Sequence, residues 1–347
     1  MGRARLGFVW LAGVQDLRWR RRRFSIAVIA TSLVFAITLL LSGFGESFTV
    51  EARRFVDDIG VDGYVVRSET KGPFMSPRPF SADEIEPIAK TKGITFAAPL
   101  VSMVQPDMYL VGFAGVAPAT AETLRPFRGT AIVDARLNIK EGETVRVGAK
   151  ELSVGRVTHG NTVLGGQAIV VISPRDAYDA LFGGNAFVTS VAVNGRPTAE
   201  LPEGFIYVSK SEAIRDMLEP LHVVIRTIRI LSVLLWIVAS AIVGSVIYVS
   251  TLERVRDFAV FKATGASTGD LLAALVVQAV LLSLLASLVA IGITYLIAPI
   301  FPANVSFPAG LLMLLPIVAI PVGLIASAAG LRRAMKVDPA LAFGGAA

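Results

Sequence analysis

Charged and aromatic side chains crowd into one short stretch, Glu253-Arg254-Val255-Arg256-Asp257-Phe258-Ala259-Val260-Phe261-Lys262-Ala263-Thr264-Gly265-Ala266-Ser267. Carboxylates and cations stand together at its front, and Phe258 and Phe261 give it an apolar patch. Gly265 suits the left-handed residue that ends a helix. Such a segment is either a capped turn that reverses the chain or a short helix that docks on a protein partner. It also contains Gly265-Ala266-Ser267-Thr268-Gly269, which matches the Gly-x-Ser-x-Gly nucleophile elbow of hydrolases. That elbow needs a strand before the serine and a histidine within reach. Here a helix is predicted before it, and both histidines, His159 and His222, fall in another region. There is no cysteine among 347 residues, which excludes thiolate catalysis, disulfides and cysteine-based zinc sites. No Gly-x-x-x-x-Gly-Lys-[Ser/Thr] loop occurs either, so the chain has no phosphate cradle of that kind. The chemistry that remains is contact with a partner, with no catalytic, metal or cofactor site of its own.

What must position this stretch is a membrane. Residues 271–331 carry no Asp, Glu, Lys, Arg or His. A bilayer core about 30 Å thick needs roughly 20 apolar residues per helical crossing, so this run holds two crossings and a turn. The turn lies where Pro299, Pro302 and Pro308 interrupt any continuous helix. Two further charge-free runs, 24–45 and 230–252, bring the count to four crossings. Hydrophobic residues make up 54% of the chain and charged ones 17%, below the soluble average of about 25%. The first apolar run is too long for a signal-peptide core and lacks a small-x-small cleavage site, so we expect it to be retained.

Charge fixes the expected orientation. Seven arginines (Arg3, Arg5, Arg18, Arg20, Arg21, Arg22 and Arg23) precede the first crossing, which holds that end in the cytoplasm. The predicted inner segments hold 13 basic and 5 acidic residues, and the predicted outer region 20 and 22. The high pI is therefore a topology signal, and nucleic acid is not an expected partner. Leu6, Val9, Trp10, Val14 and Leu17 recur at helical spacing, as in an amphipathic helix lying in the headgroup layer. The expected organisation is a basic segment 1–23, a first crossing 24–45, an outer domain 46–229 and a second crossing 230–252. A cytoplasmic loop 253–270, a third crossing 271–298, an outer turn 299–308, a fourth crossing 309–331 and a tail 332–347 follow. This places the chain in the plasma (inner) membrane as a multi-pass protein with both termini cytoplasmic.

The outer region is long enough for a core of its own and mixes strand and helix signals, which predicts an α+β domain. Strands are expected at 61–66, 94–104, 108–113, 130–134, 168–172 and 188–193. A hairpin is expected across 141–154, where Thr144, Val145, Arg146 and Val147 alternate. Ser81 and Glu84 read as a capping box, and Ser173-Pro174 as a helix start. Helical flanks at 46–58 and 210–229 join the domain to the crossings, with Gly60 and Pro220 as joints. Ser240 with Gly244, and Ala326 with Gly330, are small-xxx-small pairs suited to close helix packing.

The charged stretch resembles the coupling-loop signature of the MacB/FtsX-like permeases of ABC transporters. There the pattern Glu-Arg-x-x-Glu, two aliphatics, x-x-Lys-Ala, an aliphatic and Gly-Ala is usual. Asp257 stands for the common Glu and Thr264 for the aliphatic residue. The tail from Arg332-Arg333-Ala334 to Val337-Asp338-Pro339 is similar to the family's closing motif, with Leu341 and Ala342 offset. The arginine-rich entry and the outer hairpin fit as well. The resemblance implies a four-helix half-transporter acting as a dimer, of two copies or of one copy and a homologue, with two cytoplasmic ABC ATPase subunits beneath it. ATP and Mg would be bound by those subunits. Because the chain starts shortly before the first crossing, we expect the ATPase to be a separate polypeptide. Glu253, Arg256, Asp257, Phe258, Phe261, Lys262 and Gly265 would form the ATPase-coupling site.

Two function classes follow. One is a permease that couples ATP hydrolysis to movement of the outer domain, for export or extraction of a substrate. The other is an FtsX-like transmembrane regulator that activates an extracytoplasmic cell-wall enzyme without transport. A periplasmic or extracellular adaptor or enzyme is an expected partner in either, as are membrane lipids. An amino-acid importer permease does not fit the helix number or the large outer domain.

Overall fold

A computed structural model describes residues 21–113, 126–253, 260, 267–300 and 305–335. The expected headgroup-layer helix lies outside the described residues, and so does the closing tail motif from Lys336 onward, while its start, Arg332-Arg333-Ala334, belongs to the last described helix. The chain forms two compact units, one of residues 46–225 and one of residues 1–45 with 226–347.

Helix α1 runs Arg21–Ile59 and ends where Gly60 takes a φ of 73° and its amide bonds the Asp57 carbonyl. The outer unit follows with strands β1 (Gly63–Arg67), β2 (Phe80–Ser81), helix α2 (Ile85–Ala89), β3 (Phe96–Val104) and β4 (Met108–Phe113). Next come β5 (Thr130–Asp134), β6 (Thr144–Val147), β7 (Lys150–Thr158), β8 (Thr162–Val163) and β9 (Gln167–Ile172). Helix α3 (Pro174–Phe182), β10 (Phe187–Val188), β11 (Ser190–Asn194), β12 (Phe205–Ser209) and helix α4 (Lys210–Leu218) complete it.

One mixed sheet in the order β12-β1-β11-β3-β4-β9-β5-β7-β6 dominates the unit, with β8 also paired to β9. Strands β4 and β9 pair in parallel, as do β5 and β7, and the other neighbours are antiparallel. The period-two pattern of the strands divides the core between the two faces. Leu100, Tyr109, Val111, Ile169 and Val171 pack with Ala52, Phe55, Val56 and Ile59 of α1 and Ala213 and Met217 of α4. Val101, Leu110, Val170 and Ile172 face the other way, toward Ala177 and Ala180 of α3.

Two local expectations are corrected. Ser81 accepts from the Asp83 amide at 3.4 Å, but no capping box closes with Glu84. Glu84 instead accepts two hydrogen bonds from Arg67, at 2.7 and 2.8 Å, while Arg67 stacks on Phe80 and Phe205. A charge-assisted pair, here from Arg67 Nη2 to both carboxylate oxygens, is stronger than a neutral cap, so it claims the carboxylate. The single strand expected over 188–193 is broken at Thr189. Its buried hydroxyl accepts from the Ser102 amide and donates to the Leu100 carbonyl, so β10 leaves to pair with β2. Strand β12 was not anticipated, because its run Phe205-Ile206-Tyr207-Val208 lies between turns rich in Gly and Pro and next to a helix signal.

The other unit holds helix α5 (His222–Glu253), α6 (Thr268–Ile297) and α7 (Ala309–Met335) together with the first part of α1. A 3-10 turn at Glu219–Leu221, carrying Pro220, separates α4 from α5. Among the described residues four helices are long and apolar enough to cross a membrane. The mixed-sheet domain sits in the chain between the first and second of them, which is the predicted fold class. Two apolar clusters fill the bundle. Phe24, Ala27, Val243, Ile247, Leu275, Ala279, Leu282 and Ala326 form one. The other gathers Phe35, Ala36, Leu39, Ala239, Ala286, Ala290, Leu315, Ala319 and Val322.

Candidate functional site

The expected coupling site hangs between α5 and α6. Glu253 is the last residue of α5 and is exposed, Val260 is an exposed helical residue, and Ser267 is exposed just before α6. Arg256, Asp257, Phe258, Phe261, Lys262 and Gly265 lie outside the described residues, and so does any contact among them. What the structure does describe is the pair of roots from which that loop springs.

Next to the loop, both helices contribute residues to the buried core of the bundle. On α5, Ile247 and Thr251 are fully buried, and the Thr251 hydroxyl donates to the Ile247 carbonyl at 2.8 Å, closing its polar group on its own helix. On α6, Leu275 and Ala279 pack into the same cluster as Ile247, together with Phe24 and Ala27 of α1. Side chains of α5 and α6 next to the loop thus share one close-packed cluster with α1. The serine of the Gly-x-Ser-x-Gly match, Ser267, stands just before α6, and the residues that lead into it lie outside the described residues. Among the described residues no group of three or more His, Cys, Asp or Glu side chains is arranged to hold a metal ion.

The outer unit contains two polar arrangements that sequence reasoning missed. Glu51, on α1, is buried; its Oε1 accepts from the Thr162 hydroxyl at 2.8 Å and its Oε2 from the Gly165 amide at 3.0 Å. Its signal was a lone acidic residue at the position i+3 from Phe48 and one before Ala52, on the face that becomes apolar core. The second arrangement centres on Asp176, which is fully buried. It accepts from Lys150 Nζ at 2.7 Å, the Ser173 hydroxyl at 2.6 Å and the Gly129 amide at 2.9 Å. Lys150 also reaches Asp179 at 2.9 Å. Burial pushes the Asp176 carboxyl up, but hydrogen bonds from Lys150, Ser173 and Gly129 outweigh it and hold the group below the ordinary value. Hydrogen bonds to Asp176 and Asp179 hold Lys150 above its ordinary value. The three-donor cage makes Asp176 a structural anchor at the start of α3.

The FtsX-like permease C-terminal family matches residues 229–339, which span α5 through α7 and the segment after it. An uncharacterized ABC transporter permease of Mycobacterium tuberculosis is 38% identical over 354 residues, covering 96% of this chain and 99% of the relative. A second from the same organism is 39% identical over 346 residues, covering 96% and 99%. A putative hemin transport system permease protein HrtB of Staphylococcus haemolyticus is 19% identical over 357 residues, covering 95% and 98%. The bundle carries the family match and the two mycobacterial relatives align through bundle and outer unit alike, so the chain belongs to the FtsX-like family of ABC transporter permeases.

Proposed function

We propose that this permease is the membrane subunit of a complex in which a separate cytoplasmic ATPase drives movement of the mixed-sheet domain outside the cell membrane. Hydrolysis by two ATPase subunits acts on the loop between α5 and α6, and two permease copies, or one copy and a homologue, exchange that movement for export or extraction of a substrate. Both termini and the loop lie in the cytoplasm, as the excess of basic residues in those segments supports.

The observation that carries the reading is helix α1. It runs 39 residues without a break, longer than the roughly 20 a crossing needs. Its first part supplies Phe35, Ala36 and Leu39 to the bundle core and its last part supplies Phe55, Val56 and Ile59 to the core of the sheet domain. ATP itself must be handled by a partner, since the 347 residues hold no phosphate loop. The relative named for hemin transport supports a transported cargo over regulation of an outer enzyme.

The test is purification of the affinity-tagged permease from its native host. A phosphate-loop ATPase should accompany it in a two-plus-two complex, with ATP hydrolysis found in the complex and absent from the permease alone. Hydrolysis by the isolated permease, or a stable monomer that never retains an ATPase, overturns the reading. Stimulation of a cell-wall hydrolase by the complex, with no cargo moved, would favour the regulator.

A further inference from the structure

The strongest polar grip that α1 makes inside the sheet domain is a carboxylate holding a tight hairpin. Strands β8 and β9 are joined by Leu164-Gly165-Gly166, three successive residues at φ of 54°, 86° and 108°. The Gly166 amide closes the turn on the Val163 carbonyl at 3.1 Å, which leaves the Gly165 amide to meet Glu51 Oε2. Gly165 has no alternative there. A Cβ on it would lie 2.5 Å from the Phe48 ring. One turn of α1 thus presses Phe48 on the hairpin tip and hooks the tip with Glu51. Arg54 adds a third point, donating to the Gly160 carbonyl at 3.3 Å. On the far side Arg136, which follows β5, donates to the Gly166 carbonyl at 3.0 Å.

The hairpin is not a peripheral loop. Its second strand, β9, lies inside the main sheet between β4 and β5. Displacement of α1 along its axis would be resisted by the close-packed contacts of Phe55 and Ile59, Phe55 standing edge-to-face on Phe74 and Tyr109. The two hydrogen bonds to the Glu51 carboxylate add a directional, polar link to one particular hairpin. We propose that Glu51 is a positioning residue of the transport cycle, the point at which motion of α1 is handed to strand β9 and through it to the outer domain. The proposal rests on the mechanical reading above and assigns its transmission to one side chain.

The permease purified with its ATPase tests this through amide hydrogen exchange of residues 160–172, with and without ATP. In the wild type the exchange of this hairpin should change with nucleotide. Glu51→Leu fills a similar volume and removes both hydrogen bonds, so the nucleotide-dependent change should be lost while ATPase retention persists. Glu51→Gln should restore it, since its oxygen can accept from Gly165 and its amide can donate to a Thr162 hydroxyl that reverses its role. Thr162→Val, isosteric and lacking one donor, should reduce it partly and guards against misfolding of the Leu variant. Asp176→Asn weakens a buried carboxylate on the opposite face and should leave the nucleotide response intact. If Glu51→Leu lowers thermal stability yet keeps the full response, the residue is only structural and the proposal falls. A wild-type complex with no nucleotide response anywhere in the sheet domain overturns the mechanical reading itself, and this assignment with it.

Discussion

Gly244 of α5 lies so close to Ala326 of α7 that a Cβ on the glycine would stand 3.2 Å from the Ala326 carbonyl oxygen. One member of each small-xxx-small pair read from sequence, Gly244 and Ala326, thus meets at this helix contact. Gly323, one turn earlier on α7, is tighter still, with its Cβ position 2.8 Å from the Val280 Cα of α6. In lipid, where apolar side chains gain nothing by leaving solvent, such backbone approach is what holds helices together. Gly323→Ala must push backbone apart and should cost about 1–3 kcal/mol. Gly244→Ala asks for only a few tenths of an ångström and should cost less, whereas Gly244→Leu should separate the helices. Thermal unfolding of the three variants in nanodiscs checks the order. Equal midpoints for Gly244→Ala and Gly323→Ala would contradict it.

The Lys150–Asp176 contact sets a pH window for the outer domain. Asp176 is held below its ordinary value, so its contribution is present above about pH 4 and fades as pH falls through the lower folded value. Lys150 is held above its ordinary value, so its contribution is complete below about pH 10 and is lost as pH rises through the higher folded value. The stability difference between wild type and Asp176→Asn should thus stay level from about pH 5 to 9 and shrink in acid below about pH 4. Near neutrality the variant weakens three donors' partner and should cost about 1–3 kcal/mol. A difference that grows on acidification would show that the carboxylate is not charged in the folded domain.

The four crossings were legible because length and absence of charge are enough to mark a membrane helix. Most strands were legible too, since Met108–Phe113 and Gln167–Ile172 are short apolar runs between turn residues. Less legible were the features decided by tertiary competition. Glu84 had a local partner in Ser81 and took a distant one in Arg67. Glu51 looked like one more charge on a helix leaving the membrane, because nothing in sequence reveals that a hairpin over a hundred positions later supplies its donors.

Orientation is open to direct labelling, since the chain is free of cysteine. Ser173 would be a poor site, because its hydroxyl caps α3 and bonds Asp176. Glu151 is exposed on β7 and Val260 is exposed in the loop region, so both tolerate replacement. Glu151→Cys should react with an impermeant maleimide in intact cells, and Val260→Cys only after lysis. The reverse pattern would invert the topology and place the sheet domain in the cytoplasm.

The coupling loop itself gives the last prediction. In the sequence Glu253, Arg256, Asp257 and Lys262 flank Phe258 and Phe261, whose spacing of three would put them on one face of a helix. In a docked helix the aromatic pair would enter a groove on the ATPase while the charges set its direction. Loss of a buried aromatic anchor costs about 2 kcal/mol or more in an interface, whereas an exposed ion pair contributes about 0–1 kcal/mol. Phe258→Ala and Phe261→Ala should therefore release the ATPase more readily than Lys262→Ala. None of the three touches the sheet domain's sequence, so protease resistance of that domain should be unchanged. The measurement is ATPase retained on purified permease through successive washes, read beside that protease control. Equal retention by all three variants would make the segment a capped turn that only reverses the chain, and would move the docking surface elsewhere.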